Sequence, residues 1–258
     1  SPTPTPAWNT RPASVAARGD SITRGFDACG LLKDCPQRSW VTALAATLPA
    51  PASNLARSGA RMADLVRQAE QAVARRPEQV VILMGANDAC RNTVAQMTPV
   101  DTYRRQFAAA MTVLGSRLPK TQVFVASVPD LERLRDVGRR IPLAKEIWKL
   151  GICPTMLAEP DSTAPSAVRR RAEVRSRVVE YNNALREVCG SYDRCRYDGG
   201  AVFTFRFTAG ELSPFDWFHP SQRGQAQLAR VIAQAGFSSG TVTRSGGKPR
   251  LSRHRSQR

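Results

Sequence analysis

Apolar residues in this chain fall into short unbroken runs and into stripes spaced by three and four, and the two patterns alternate. "SVAARGDS" (14–21) predicts a short strand running into a glycine turn, and "SWVTALAATL" (39–48) a helix. "PASNLARSGA" (51–60) offers a second short strand. In "MADLVRQAEQAV" (62–73), Met62, Leu65, Val66, Ala69 and Val73 share one helical face. "EQVVILMGAND" (78–88) is a run of buried-type residues ending at Gly85, the clearest strand of the chain. The next helix opens with Thr98 as N-cap, Pro99 in the first helical position and Asp101 completing a capping-box-like start. Its apolar stripe is Tyr103, Phe107, Met111, Leu114 and Leu118. "TQVFVASVPD" (121–130) then predicts another buried strand.

Residues 130–165 break this rhythm with mixed, partly amphipathic sequence and read as an insertion over one end of the sheet. A long Arg-rich helix is predicted at 165–188, an edge strand near "AVFTFRF" (201–207), and a last helix from Ser221 with Leu228, Val231 and Ile232 inward. Strands alternating with helices of this length predict an α/β fold, a mainly parallel sheet with helices on both faces. The Pro/Thr-rich residues 1–13 read as an extended arm, 14–237 as one domain, and 238–258 as a basic, disordered tail.

Composition narrows the classes of function. Hydrophobic residues make up 42% of the 258, ordinary for a globular core, and no run approaches the ~18 apolar residues of a membrane span. The net charge is +17, and removing the six basic residues of the tail still leaves +11. That charge favours anionic surfaces in general, whether lipid headgroups, wall polymers or nucleic acid. No basic groove interleaved with aromatic residues is visible, so nucleic acid is not expected as a partner. The chain starts "SPTPTPAWNT", without an initiator Met or an apolar signal core, as a mature exported protein would.

The six cysteines suit an oxidising compartment. Cys29 and Cys35, and likewise Cys189 and Cys195, are close-spaced, while Cys90 and Cys153 are isolated. No C-x-x-C pair exists to start a thiolate zinc site. Of the roughly 15 connectivities that six cysteines allow, Cys29–Cys35, Cys90–Cys153 and Cys189–Cys195 is favoured, because the outer pairs close short local loops.

In open α/β sheets, ligands bind beyond the carboxyl ends of the strands. "RGDSIT", "ARSGAR" and "MGANDA" follow three predicted strands, and "SPFDWFHPSQ" precedes the last helix. Taken singly, Ser21 could cap a turn, Gly59 could serve a turn, Asn87-Asp88 could be a turn pair, and His219 could be structural. Together they fit acyl transfer, in which a serine hydroxyl needs a base and the base needs an orienting group. His219 is the only histidine of the body, and Asp216 lies three residues before it. The backbone N–H groups of Ser21 and Gly59 and the Asn87 amide would hold the oxyanion. The G-x-S-x-G elbow of α/β-hydrolases is absent from the chain. Two histidines are too few for the usual ligand set of a metal-dependent phosphoesterase.

The order GDSI, Gly, G-x-N-D and D-x-x-H resembles the GDSL/SGNH hydrolase family, with Ser21, Gly59, Asn87 and His219 at its four named positions over about residues 14–236. Ile22 stands where the signature usually has Leu. "RGFDACGLLKDCPQRSW" further resembles the secreted bacterial branch that holds lipases, esterases and phospholipases A1. The resemblance implies a flavodoxin-like three-layer α/β/α fold, a Ser21–His219–Asp216 triad, no metal or organic cofactor, and an ester or lipid substrate. Some members of the branch orient the histidine with a backbone carbonyl, which ranks Asp216 below the other two. A secreted, monomeric lipase or esterase is the first expectation, with transient contact to an anionic membrane or wall-polymer surface. Phospholipase A1 and polysaccharide O-deacetylase are the alternatives within the enzyme class. Outside it stands a cationic envelope- or polyanion-binding protein.

Overall fold

A computed structural model of the chain describes residues 6–238. Five strands form one parallel sheet: β1 (Val15–Gly19), β2 (Ala52–Asn54), β3 (Gln79–Leu83), β4 (Gln122–Val125) and β5 (Cys195–Tyr197), in the order β2-β1-β3-β4-β5. β1, β3 and β4 are buried along their whole length, which is why they read as continuous runs. Helices Leu65–Arg75, Val100–Arg117 and Pro165–Cys189 pack side by side on one face. Trp40–Ala45 and Gln222–Gly236 pack together on the other. The fold is the expected three-layer α/β/α sandwich.

Two predicted details are corrected. The fifth strand is Cys195–Tyr197, paired with β4, and residues 201–207 supply no strand: Ala201–Thr204 is a helical turn. The Asp198 carboxylate forces that turn, accepting from the N–H groups of Gly200 (2.8 Å) and Val202 (3.0 Å). The alternating phenylalanines pack without a strand partner, Phe205 edge-on against Phe207. The second correction concerns the helix start. It begins at Val100 with Pro99 at the cap, because the Thr98 hydroxyl is engaged elsewhere, donating to Asp88 Oδ1 at 2.7 Å.

Residues 7–9 lie against the amino-terminal ends of β3 and β4, opposite the strand termini that carry the motifs. Trp8 Nε1 donates to the Gly236 carbonyl (2.7 Å), and Gln122 Nε2 to that of Ala7 (2.8 Å). Residues 1–5 and, apart from Ser238, the segment expected to be a basic, disordered tail lie outside the described residues.

The insertion folds as three short helices, Leu131–Gly138, Pro142–Trp148 and Pro154–Leu157. Three arginines of the long helix, Arg170, Arg171 and Arg175, hold it down. Arg170 Nε donates to the Thr155 carbonyl (3.0 Å), and Arg171, 5% exposed, donates to the carbonyls of Glu159 (3.2 Å) and Ser162 (2.6 Å). Arg175 pairs with Asp130 and Glu132, and Arg177 donates to the Thr98 carbonyl. Arg169 remains exposed. The structure pairs Cys29–Cys35, Cys90–Cys153 and Cys189–Cys195.

Candidate active site

β1 ends at Gly19, where a Cβ would lie 2.4 Å from the Leu83 carbonyl oxygen and 2.6 Å from Thr23 Oγ1, so only glycine lets the chain turn there. Gln68 clamps this glycine, accepting from its N–H and donating to its carbonyl, each at 2.9 Å. Asp20 then caps the helical turn Ser21–Arg24, its Oδ1 accepting from the Ile22 N–H at 2.9 Å. Ser21 is thereby fixed at the carboxyl rim of the sheet, 8% exposed.

His219 arrives from the loop before the last helix. Its Nε2 lies 2.9 Å from Ser21 Oγ and its Nδ1 2.5 Å from Asp216 Oδ2. A carboxylate at Nδ1 keeps the proton on that nitrogen, which leaves Nε2 free to accept from the serine hydroxyl. Asp216 is itself locked: Oδ1 accepts from the N–H groups of Phe218 and His219, both at 2.9 Å, while its carbonyl accepts from Trp148 Nε1 at 2.9 Å. Trp217 between them takes a left-handed φ of +54°, the backbone reversal that brings carboxylate and ring together. The side chain, not a backbone carbonyl, therefore meets Nδ1 here. Phe26 packs edge-on against the imidazole with ring centres 4.9 Å apart.

Burial alone would raise the Asp216 carboxyl, but the hydrogen bonds and charge of His219 and the two backbone N–H groups outweigh it and hold it below its usual value. Burial would likewise lower His219, yet Asp216, Asp27 and Asp20 together hold it above the ordinary imidazole value. Asp20, fully buried, is pushed up to about 7 by desolvation, only partly offset by the Ile22 N–H. Asp88 is raised by burial to about 6 despite bonds from Thr98 and the Met62 N–H.

Asn87 stands in the helical turn Ala86–Ala89 beyond β3, entered through Gly85, where a Cβ would fall 2.6 Å from Val128 Cγ2 and 2.8 Å from the Tyr103 hydroxyl. Asn87 lines the same cavity as Ser21 and His219, and its Nδ2 donates to the Ala60 carbonyl at 2.9 Å, tying down the loop that carries Gly59. Gly59 has a φ of +82° and borders the adjoining groove rather than that cavity. The three triad positions are thus joined by direct hydrogen bonds, Asn87 faces them, and Gly59 sits one step away.

The cavity beside Ser21 and His219 holds about 250 Å³. Its walls include Leu131, Leu134 and Ile152 from the insertion, with Phe207 and Phe218. Trp148, from the insertion, is 4% exposed and supports Asp216 from behind. Nothing local in the sequence signals that role, since the pair is separated by 68 residues.

A parallel α/β sandwich with a Ser–His–Asp relay at its carboxyl rim and no nucleophile elbow defines the architecture of the SGNH hydrolases. The profile of the GDSL-like lipase/acylhydrolase family matches residues 17–227, and the chain belongs to that family of ester hydrolases. Among solved structures, the extracellular lipase from Streptomyces rimosus is similar, with 18% identity over 86% of this chain and 99% of that one, at a TM-score of 0.56. The lipase/acylhydrolase from Enterococcus faecalis matches at 20% identity over 86% and 93%, TM-score 0.55. The acetyl xylan esterase AlAXEase matches at 16% identity over 86% and 98%, TM-score 0.56. At these identities the likeness is one of fold. A search of curated protein sequences gave no significant match.

Proposed function

We propose that the protein is a secreted serine carboxylester hydrolase, a lipase or esterase, that cleaves acyl esters of lipids through an acyl-serine intermediate. The observation that carries this reading is the Ser21–His219–Asp216 hydrogen-bond chain opening on a cavity walled by leucine, isoleucine and phenylalanine. Ser21 Oγ attacks the ester carbonyl carbon as His219 Nε2 takes its proton. Asp216 stabilises the imidazolium through Nδ1, and the Ser21 and Gly59 N–H groups with the Asn87 amide receive the oxyanion. The intermediate then collapses, His219 protonates the departing alcohol, and water, deprotonated by His219, releases the acid. Each oxyanion donor is worth about 10²–10³ in kcat.

An apolar wall of this extent favours an acyl chain longer than acetyl over a polysaccharide acetyl group. Phospholipase A1 activity is the neighbouring reading, supported by the exposed leucines 31, 32, 143 and 150 beside Lys33 and Lys149. These fit transient contact with an anionic lipid or wall-polymer surface. Export is supported by the three disulfides, and no helix among the described residues is long and apolar enough to cross a membrane.

The test is Ser21→Ala assayed on p-nitrophenyl esters of graded chain length, on phospholipid vesicles and on acetylated xylan, with fluorophosphonate labelling of the parent protein. The expected outcome is a label on Ser21, loss of turnover by at least about 10³-fold in the variant, and a preference for acyl chains over acetate. Turnover retained by the variant refutes the assignment. Salt-sensitive polyanion binding without any labelling would instead support the non-enzymatic reading.

A further inference from the structure

Asp27 has no part in the relay described above, yet it is built into the back of it. It is 1% exposed and adopts a left-handed φ of +58°, a conformation that a non-glycine residue keeps only where its surroundings hold it. Its N–H donates to the Lys33 carbonyl (2.9 Å) inside the loop closed by Cys29–Cys35. Its carbonyl accepts from Ser213 Oγ (2.7 Å), and the Ser213 N–H in turn donates to the His219 carbonyl (2.8 Å). The backbone of Asp27 is thereby tethered to the loop that carries the histidine.

Its side chain completes the connection. One ligand-type atom each from Asp27, Asp216 and His219 lie within 4.8 Å of one another. Asp27 Oδ1 is buried and receives no donor from the described residues. Two ionised carboxylates are acceptors only, so Asp27 gains a hydrogen bond with Asp216 only when a proton lies between them.

We propose that Asp27 is a positioning residue for the Asp216–His219 pair, sharing a proton with Asp216 and setting the charge behind the imidazole. Protonated, Asp27 donates to Asp216 and leaves one net negative charge there. Ionised, it places a second negative charge near the ring, which favours the imidazolium and raises the pH at which His219 becomes free to accept the serine proton. Burial, then the charge of Asp216 and the hydrogen bond with it, push Asp27 up to about 6, so the two states exchange within the working range of a histidine. The charged groups facing Asp27 are Asp216 and His219 from the loop before the last helix; Asp20, just after β1 and beside Asp88, faces His219.

The inference rests on His219 as the base, so the test includes a readout that needs no turnover. The chain has two histidines, and His254→Gln leaves His219 as the only imidazole for an NMR titration. In that background, Asp27→Asn keeps a donor and removes the charge, and Asp27→Ala removes both. Expected are a His219 pKa lowered by about half a unit or more in Asp27→Asn, and an acid limb of kcat/KM displaced by the same amount. Asp27→Ala should lose about tenfold more kcat than Asp27→Asn, as Asp216 loses its donor. A His219 pKa unchanged in Asp27→Asn, with circular dichroism and urea midpoint showing a folded protein, overturns the proposal. A shifted NMR pKa in a protein without esterase activity would uphold the coupling and refute only the catalytic reading.

Discussion

Removing the Cys90–Cys153 disulfide tests how the insertion is held over the active site. The bond closes a loop of 63 residues, whereas Cys189–Cys195 closes one of 6. If the bridge acts by restricting the unfolded chain, the longer loop is worth about 4 kcal/mol and the shorter about 2 kcal/mol. At roughly 2–4 °C per kcal/mol for a domain of this size, Cys90→Ser/Cys153→Ser should lower Tm by about 8–16 °C. The corresponding change at Cys189 and Cys195 should lower it by about half as much. The first bridge also carries function. Cys90 follows the turn of Asn87, Cys153 follows Gly151 and Ile152, and all of them line the cavity. Thr155 adds a second clasp, its hydroxyl donating to the Ala89 carbonyl at 2.7 Å. Loosening this wall should raise KM for long acyl esters more than for acetate, while the fluorophosphonate still labels Ser21. Urea and thermal unfolding of both double variants, with a chain-length series, make the comparison. A stability loss at Cys90/Cys153 no greater than that at Cys189/Cys195 would refute the loop-entropy reasoning.

Two further predictions concern the charges of the site. Asp216→Asn replaces the charged acceptor at Nδ1 with a neutral amide that no longer enforces the tautomer, and the Asp216 carbonyl is already engaged by Trp148, so kcat should fall by about 10³–10⁴; a loss of only a few-fold would show that a backbone carbonyl takes over. Stability should fall as pH rises from about 5 to 8, because Asp20 (about 7), Asp27 (about 6) and Asp88 (about 6) bind protons more tightly folded than unfolded, and His219 is shifted in the same sense. Asp216, held below its usual value, contributes the opposite slope, but only at lower pH. A urea midpoint that is higher at pH 8 than at pH 5 would contradict this.

The strands and the long helices were legible because their patterns are local. β1, β3 and β4 are buried on both faces and appear as unbroken apolar runs, and the stripe from Tyr103 to Leu118 has the helical period. Residues 201–207 misled for the same reason: alternating phenylalanines look like a strand, and the carboxylate of Asp198 that folds them into a turn carries no such pattern. The long helix was legible as Arg-rich but the anchoring role of Arg170 and Arg171 was not, since their acceptors are backbone carbonyls of the insertion, to which a sequence gives no address.

By itself the sequence determined the alternating α/β order and four polar motifs at segment ends, because both depend on neighbours within a few residues. Family membership also follows from it, through the profile match. Only the tertiary structure decided that Asp216 offers its side chain to His219 while Trp148 occupies its carbonyl. The same holds for Asn87 facing the cavity with Gly59 one groove away, and for a second buried carboxylate, Asp27, standing behind the first. Apart from Asp216 and His219, three residues apart, those relations join residues dozens to nearly two hundred positions apart. Hydrogen-bond geometry and shared burial fix them, and both exist only once the sheet has brought its strand ends to one rim.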